Sequence, residues 1–321
     1  MIVKLFGTAF VALSLVAILS TGCASPTYEP VDNSSVLTEK EEWAALIAAS
    51  SAFASSASED SSAFVSPALI IDGLRNRAWH VGPEVYYFKY KEPGVMEDTG
   101  MFYGLTVGFT SRDWLPTSPE EPPWESKWMS RAEGRFAYGQ VDYDGATWGG
   151  TPLTMNNIDD FAWEIRLLMG PDFPGATSML TPFAGIAYRY LNDDSSFHVS
   201  GYERESNYLY LPLGLEMVAQ LNDGWACGAS VEFDVFLWGK QTSHLSDTGS
   251  SDVDNRQEKG YGARASVKFQ KKTGKIDFII EPFIRYWDIG DSEIENVPGL
   301  GAVLEPENYT IEAGIQLVLV F

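Results

Sequence analysis

Cysteine is almost absent. Cys23 and Cys227 are the only two in 321 residues, too few for a disulfide framework or a cysteine-rich metal site. Histidine occurs three times, at His80, His198 and His244, which leaves little room for a histidine metal cage. Cationic side chains are outnumbered, 22 Lys+Arg against 44 Asp+Glu, for a formal net charge of −22. Phosphate backbones require a basic surface, so nucleic acid is excluded as a partner. Beyond the N-terminal region no apolar run approaches the roughly 18 residues of a spanning helix. What is present is 45% hydrophobic and 13% aromatic residues, which excludes a wholly disordered chain.

The N-terminus reads as an export signal. Lys4 precedes an apolar stretch from Leu5 to Leu19, followed by Ser20-Thr21-Gly22-Cys23-Ala24-Ser25. So short an apolar core is a signal peptide, spanning 1–23, rather than a membrane helix. Gly22-Cys23 resembles a bacterial lipobox, although Ser20 replaces the preferred branched apolar residue. Lipidation of Cys23 and ordinary cleavage near Ala24 both stay open. Residues 24–78 form an expected Ser/Ala-rich periplasmic linker. Thr38-Glu39-Lys40-Glu41 has capping-box spacing ahead of a short helix within it.

From Trp79 onward the hydrophobic period becomes two. Leu209, Leu211, Leu213, Leu215, Met217, Ala219 and Leu221 alternate with Tyr210, Pro212, Gly214, Glu216, Val218 and Gln220. Only a strand sends these sets to opposite faces. The same holds for Phe161 to Met169, for Cys227 to Leu237, and for Ile311 to Phe321. Ten such segments fall near 80–91, 101–112, 130–141, 161–171, 181–191, 207–221, 225–240, 261–271, 278–288 and 309–321. Most match the roughly 9–11 residues of a tilted membrane strand, and the number is even. The expected fold is therefore all-β, an antiparallel transmembrane β-barrel of about ten strands over 79–321. With the first strand running outward, the short connections Asn222-Asp223-Gly224 and Lys272-Thr273-Gly274-Lys275 fall on the periplasmic side. The long ones, near 142–160, 192–206, 241–260 and 289–308, fall outside. The proline-rich segment from Asp113 to Met129 departs from this rule. A soluble sandwich would also alternate, but has no reason to sort its loops by length.

A final strand closing on Phe321 resembles the C-terminal signal of bacterial outer-membrane barrels. That resemblance implies a Gram-negative outer membrane, contact with lipid and lipopolysaccharide, handling by the barrel-assembly machinery, and a monomer. Cys227 falls on the expected lipid face, so no disulfide is expected. The alternate set would then face inward: Glu84, Glu164, Arg166, Arg189, Glu216, Glu232, Asp234, Arg264, Lys268, Glu281, Arg285 and Glu312. Ten strands enclose a lumen only modestly wider than eight, which side chains fill. Enclosed charges must pair or be hydrated, because an unpaired buried charge costs several kcal/mol. A packed salt-bridge network plugging the lumen is expected rather than a conducting channel, with Gly104, Gly108, Gly185 and Gly214 making room. The five outer connections carry −3, −4, −3, −2 and −6, together −18 of the total −22. Such a field attracts cationic peptides or divalent cations, or simply keeps the loops solvated.

One constellation suggests chemistry. Strand three ends in Val141-Asp142-Tyr143-Asp144, and strand seven in Trp238-Gly239-Lys240-Gln241-Thr242-Ser243-His244-Leu245-Ser246-Asp247. Paired carboxylates facing a histidine can position and deprotonate a water. This resembles the omptin family, ten-stranded outer-membrane proteases acting on basic substrates. The resemblance implies Asp142 and Asp144 as the carboxylate pair and His244 as the histidine. Thr242 stands where that family has its orienting aspartate, with Asp247 the nearest substitute. If Phe136 and Tyr138 face lipid, strict alternation sends both aspartates outward unless a bulge re-aims them. If Ala137, Gly139 and Val141 face lipid, the aspartates point inward. Three readings stay open: a non-enzymatic structural or surface-interacting barrel, an omptin-like endopeptidase or inactive relative of one, and a small diffusion pore. None calls for a cofactor or a bound metal.

Overall fold

A computed structural model describes residues 75–112, 127–147, 149–175, 177–297, 299 and 301–321. The signal peptide, Cys23 and the linker up to residue 74 lie outside the described residues, as do residues 113–126 of the proline-rich segment.

Extended backbone begins at Arg77 and makes up most of the described residues beyond it. The strands are β1 (Arg77–Glu92), β2 (Met96–Ser111), β3 (Trp128–Ala146), β4 (Pro152–Pro171), β5 (Phe173–Pro174), β6 (Ser178–Asp194) and β7 (Glu203–Gln220). They continue as β8 (Trp225–Ser243), β9 (Val253–Gln257), β10 (Gly260–Lys271), β11 (Asp277–Ile289), β12 (Glu295–Val297), β13 (Gly301–Val303) and β14 (Asn308–Val320). Ten of them form one antiparallel ring in the order β1, β2, β3, β4, β6, β7, β8, β10, β11, β14. β14 pairs back onto β1, so the sheet has no open edge between its ends. β5 caps β6, β9 extends the ladder on β8, and β12–β13 is a separate hairpin. Each of the ten segments read from the sequence overlaps one ring strand.

The apolar stripe lies outside. Leu213, Leu215 and Met217 are 47%, 39% and 47% exposed, whereas Tyr210 and Glu216 between and beside them are buried. Leu105, Val107, Ile165, Leu167, Phe233, Ile280 and Leu317 continue the exposed belt around the ring. An apolar surface of that extent is tolerated in contact with acyl chains, not water. Cys227 is half-buried on the outward face and unpaired. Phe321 exchanges two backbone hydrogen bonds with Trp79, at 2.8 and 3.1 Å, and seals the last strand onto the first.

The two ends differ. At one, Asn222–Gly224 is a single tight turn with Asp223 and Gly224 at φ 60° and 72°. Gly274 takes φ 100° in the matching turn between β10 and β11. At the other end the strands outrun their expected bounds: β3 reaches Ala146 rather than 141, and β4 begins at Pro152 rather than 161. The connection near 142–160 is thus corrected in large part from loop to strand, and those near 192–206, 241–260 and 289–308 in smaller part. The added stretch of β4 alone is roughly 30 Å of chain at ~3.3 Å per residue. Short turns mark the periplasmic side of such barrels, so the extended end is the outer end.

Candidate functional site: the barrel interior and its outer mouth

Alternation fixes what the lumen holds, because every second residue of ten strands is driven into it. Nearest the turn end is a cavity of about 220 Å³ lined by His80, Arg131, Glu133, Glu216, Lys268 and Glu281, among others. Gly214 belongs to this region for a steric reason: a Cβ there would sit 2.2 Å from the Phe183 ring, which occupies the space.

Midway along the barrel lies an ionic layer. Glu312 is 0% exposed and is gripped by three arginines: Arg135 at 3.0 Å, Arg189 at 3.0 Å and Arg285 at 2.9 Å. Arg285 reaches Glu84 with its other nitrogen at 2.9 Å. Glu164 accepts from Arg135 Nε at 2.9 Å and Arg264 Nη1 at 2.9 Å, and also from the Tyr210 hydroxyl. Arg264 continues to Asp234 at 2.9 Å and Glu232 at 3.2 Å, and Arg166 joins Glu232 to Glu133. Toward the cavity, Glu216 holds Arg131 at 2.9 Å and Lys268 at 2.7 Å, and Lys268 approaches Glu281 at 3.9 Å. The charged residues expected in the lumen all lie there, each in at least one ion pair. Arginine forks shared among carboxylates keep desolvated charge matched by counter-charge.

The sequence reading missed buried Arg112 just beyond β2, which reaches Glu216 at 3.4 Å, and it missed Arg131, Glu133 and Arg135 on β3 because the phase of that strand was open. Phe136 and Tyr138 face outward and Ala137 and Val141 are fully buried, which sets it. It also missed the layer above. Tyr86, Phe88, Phe102, Tyr210 and Trp287 point inward and are essentially inaccessible. Phe88 and Phe102 pack at 4.6 Å between ring centroids, and Tyr210 meets Trp287 edge-on at 4.8 Å. Guanidinium groups tie this layer to the ionic one, with Arg189 5.4 Å from the Trp287 ring and Arg264 5.5 Å from that of Tyr210.

Above the aromatics is the outer mouth, built by the strand extensions. Arg204 of β7 binds Asp193 at 2.6 Å, Glu92 at 2.9 Å and Asp98 at 3.2 Å. Asp160 and Glu305 are buried beside them. Glu305 lies on the segment entering β14 and accepts from Gln241 Nε2 at 2.9 Å. Burial, followed by the neighbouring Glu92 charge, pushes its carboxyl up to about 8. Glu92, Asp98, Asp160, Asp193 and Glu305 are therefore turned inward, whereas most other acidic side chains of the outer segments stay at least partly exposed.

The residues singled out for chemistry stand apart. Asp142 and Asp144 share the outward phase of Phe136 and Tyr138 and are exposed. A bulge does occur between β3 and β4, where Asn157 takes φ 59°, but its backbone N–H donates to Asp142 Oδ1 at 3.1 Å and holds the carboxylate on the outer surface. His244 follows β8, which is separated from β3 in the ring by β4, β6 and β7. Its Nδ1 lies 3.5 Å from Asp252 and its Nε2 3.8 Å from Glu205. Glu203, Glu205 and His244 place ligand atoms within 4.8 Å of one another. Thr242 donates to Asp254 at 2.7 Å, and Asp247 accepts from the Glu203 backbone at 3.1 Å. Among the described residues, no hydrogen bond or ion pair joins Asp142 or Asp144 to His244.

No protein-family model matches the chain, and no curated protein matches it. Solved structures do resemble it. The outer membrane protease OmpT from Escherichia coli aligns with a TM-score of 0.53 at 12% identity, over 77% of this chain and 97% of that one. The transport unit of the autotransporter AIDA-I from Escherichia coli aligns at 0.41 with 10% identity, over 76% and 90%. The translocator domain of the autotransporter NalP from Neisseria meningitidis aligns at 0.36 with 13% identity, over 78% and 92%. At such identities the likeness concerns the fold: a bacterial outer-membrane β-barrel, with the lipid-facing belt that this membrane requires.

Proposed function

We propose that this protein is a closed outer-membrane barrel that works at its outer end, as a surface-binding platform for cationic ligands, and not by passing solutes through its lumen. The observation that carries the reading is the stack inside the barrel: an ionic layer centred on Glu312 and Glu164, then the inaccessible aromatic layer of Tyr86, Phe88, Phe102, Tyr210 and Trp287. Moving an ion through that cross-section requires breaking multiply paired charges and displacing rings. The acidic outer segments favour positive ligands by long-range attraction, which salt screens over about 8 Å at physiological ionic strength. Exposed Asp142 and Asp144 belong to that surface in this reading rather than to a hydrolytic site.

The test is equilibrium binding of a fluorescent oligolysine peptide to the protein folded in lipopolysaccharide-containing vesicles. Binding is expected to be saturable, to weaken steeply with salt, and to weaken several-fold in Asp142→Asn/Asp144→Asn. Binding no stronger than to protein-free vesicles would overturn the proposal.

A further inference from the structure

The rim of the outer end sets one histidine among carboxylates that neither lysine nor arginine neutralises. Glu203 and Glu205 stand two apart on β7, so both project from the same, outward face of that strand. His244 follows β8 and is tied beside them, because its backbone N–H donates to the Glu203 carbonyl at 2.9 Å. β7 and β8 are still paired at this height, with Glu205 opposite Thr242. Beyond the short helix Leu245–Thr248 the chain turns back, and Asp252 accepts from the Ser246 backbone N–H at 2.9 Å. Among the described residues, the ion pairs of Glu205 and Asp252 run to His244 alone, and Glu203 has none.

The three side chains converge on one point. A ligand atom from each of Glu203, Glu205 and His244 lies within 4.8 Å of the other two. His244 Nε2 stands 3.8 Å from Glu205 Oε1, too far for a hydrogen bond, and has no hydrogen-bond partner. Two ligands of one tetrahedral zinc ion, each ~2.0–2.2 Å from the metal, stand about 3.3–3.6 Å apart. The observed spacing is a few tenths of an ångström wider, and side chains that are 29% and 32% exposed have the freedom to close it. On the far side of the ring, Nδ1 faces Asp252 Oδ2 at 3.5 Å. A carboxylate behind one ring nitrogen and a free lone pair on the other is the arrangement that orients metal-binding histidines. Glu203 is braced in the same way: Asn192 Nδ2 donates to its Oε1 at 2.6 Å, and the carboxylate keeps lone pairs for an ion.

We propose that Glu203, Glu205 and His244 form a zinc site on the outer rim, with Asp252 holding the histidine in the tautomer that presents Nε2 to the ion. One imidazole nitrogen and two carboxylates make a donor set that zinc accepts, whereas calcium and magnesium take oxygen alone. Two glutamates and a neutral imidazole carry −2, which one divalent ion balances. Partial exposure of all three side chains leaves the fourth coordination position open to water. The ion clips the start of β7 to the connection after β8. The site requires three donors at one point rather than a long-range field, so it goes beyond the oligolysine-binding reading and does not rest on it.

The test is equilibrium dialysis of zinc ions against the untagged full chain folded in detergent, paired with X-ray absorption at the zinc edge. One zinc per barrel is expected, with nitrogen and oxygen neighbours at ~2.0–2.2 Å and no sulfur. His244→Ala should abolish this binding, and Glu205→Gln, the milder change, should weaken it at least about tenfold. Asp252→Ala should weaken it about 10–100-fold while the absorption spectrum of the loaded site stays the same, as loss of an orienting partner does. Glu258→Gln, exposed on another outer segment, should leave it unchanged. No saturable binding in the wild type, equal affinity in His244→Ala, sulfur bound to the zinc, or nitrogen NMR showing both His244 ring nitrogens protonated in the presence of zinc would each overturn the site. Zinc binding that persists while oligolysine fails to bind would overturn the surface reading and leave this one standing; oligolysine binding without zinc binding would do the reverse.

Discussion

Glu312→Gln removes one charge and almost no volume, and it strikes the centre of the ionic layer. In the wild type the Glu312 carboxylate faces Arg135, Arg189 and Arg285 at 3.0, 3.0 and 2.9 Å. Arg135 keeps Glu164 at 2.9 Å and Arg285 keeps Glu84 at 2.9 Å, but Arg189 has no other ion pair among the described residues. Glutamine offers one accepting oxygen, and its amide hydrogens point at guanidinium donors. The variant therefore loses at least one charge-assisted bond, about 1.5–3 kcal/mol, and leaves Arg189 as a buried charge without a counter-ion. Breaking a buried pair from one side costs roughly 3–5 kcal/mol, which is the expected loss of stability. Arg189→Met should cost less, because Glu312 retains two partners. The double variant should recover part of the Glu312→Gln loss, with a coupling above about 1 kcal/mol. The assay is reversible denaturant unfolding in lipid vesicles, followed by tryptophan fluorescence. A Glu312→Gln protein within about 0.5 kcal/mol of wild type would refute the reasoning, since it would mean that the interior charges are solvated and interchangeable with neutral groups.

Leu213→Arg places a charge in the lipid belt and should cost about 2–4 kcal/mol if the site lies near the bilayer midplane, measured by the same unfolding assay. The pH dependence is set in part by Glu305, whose carboxyl sits at about 8 in the folded chain against 4.5 as its ordinary value. Between those values the folded state binds more protons than the unfolded one, so stability falls as pH rises from about 4.5 through 8. Melting across that window should show the decline, and Glu305→Gln should reduce it; an unchanged slope would contradict the assignment. Phe102→Ala should cost about 3–5 kcal/mol as a buried large-to-small change, whereas Tyr103→Ala on the outer face should cost far less. Equal losses would mean that the ring phase of β2 is wrong.

The ten strands were legible because lipid on one side and a charged, ion-paired lumen on the other force a strict period of two. Charges stand out on the alternate positions of β7 and β11, where Glu216, Glu281 and Arg285 break an otherwise apolar run. On β3 small residues fill one face, so Phe136 and Ala137 competed for the same role, and Arg131, Glu133 and Arg135 went unassigned. The aromatic layer was hidden for a related reason: Tyr86, Tyr87 and Phe88 put rings on both faces of β1, and hydropathy alone does not say which enters the lumen. The outer extensions left no signal. Beyond the lipid both faces of a strand are wet or polar, as in Asn156-Asn157-Ile158-Asp159-Asp160, so the alternation that marks a membrane strand vanishes although the ladder continues. The buried acidic mouth arises from those extensions, and it became visible only with the register of β2, β4, β6 and β7.

Single-channel recording across a planar bilayer addresses the central claim most directly. With its ionic and aromatic layers intact, the folded wild-type barrel should give no resolvable current steps at neutral pH. Stable, reproducible steps from the wild-type protein would mean that ions pass between those layers, and would contradict the account of a barrel closed by its own side chains.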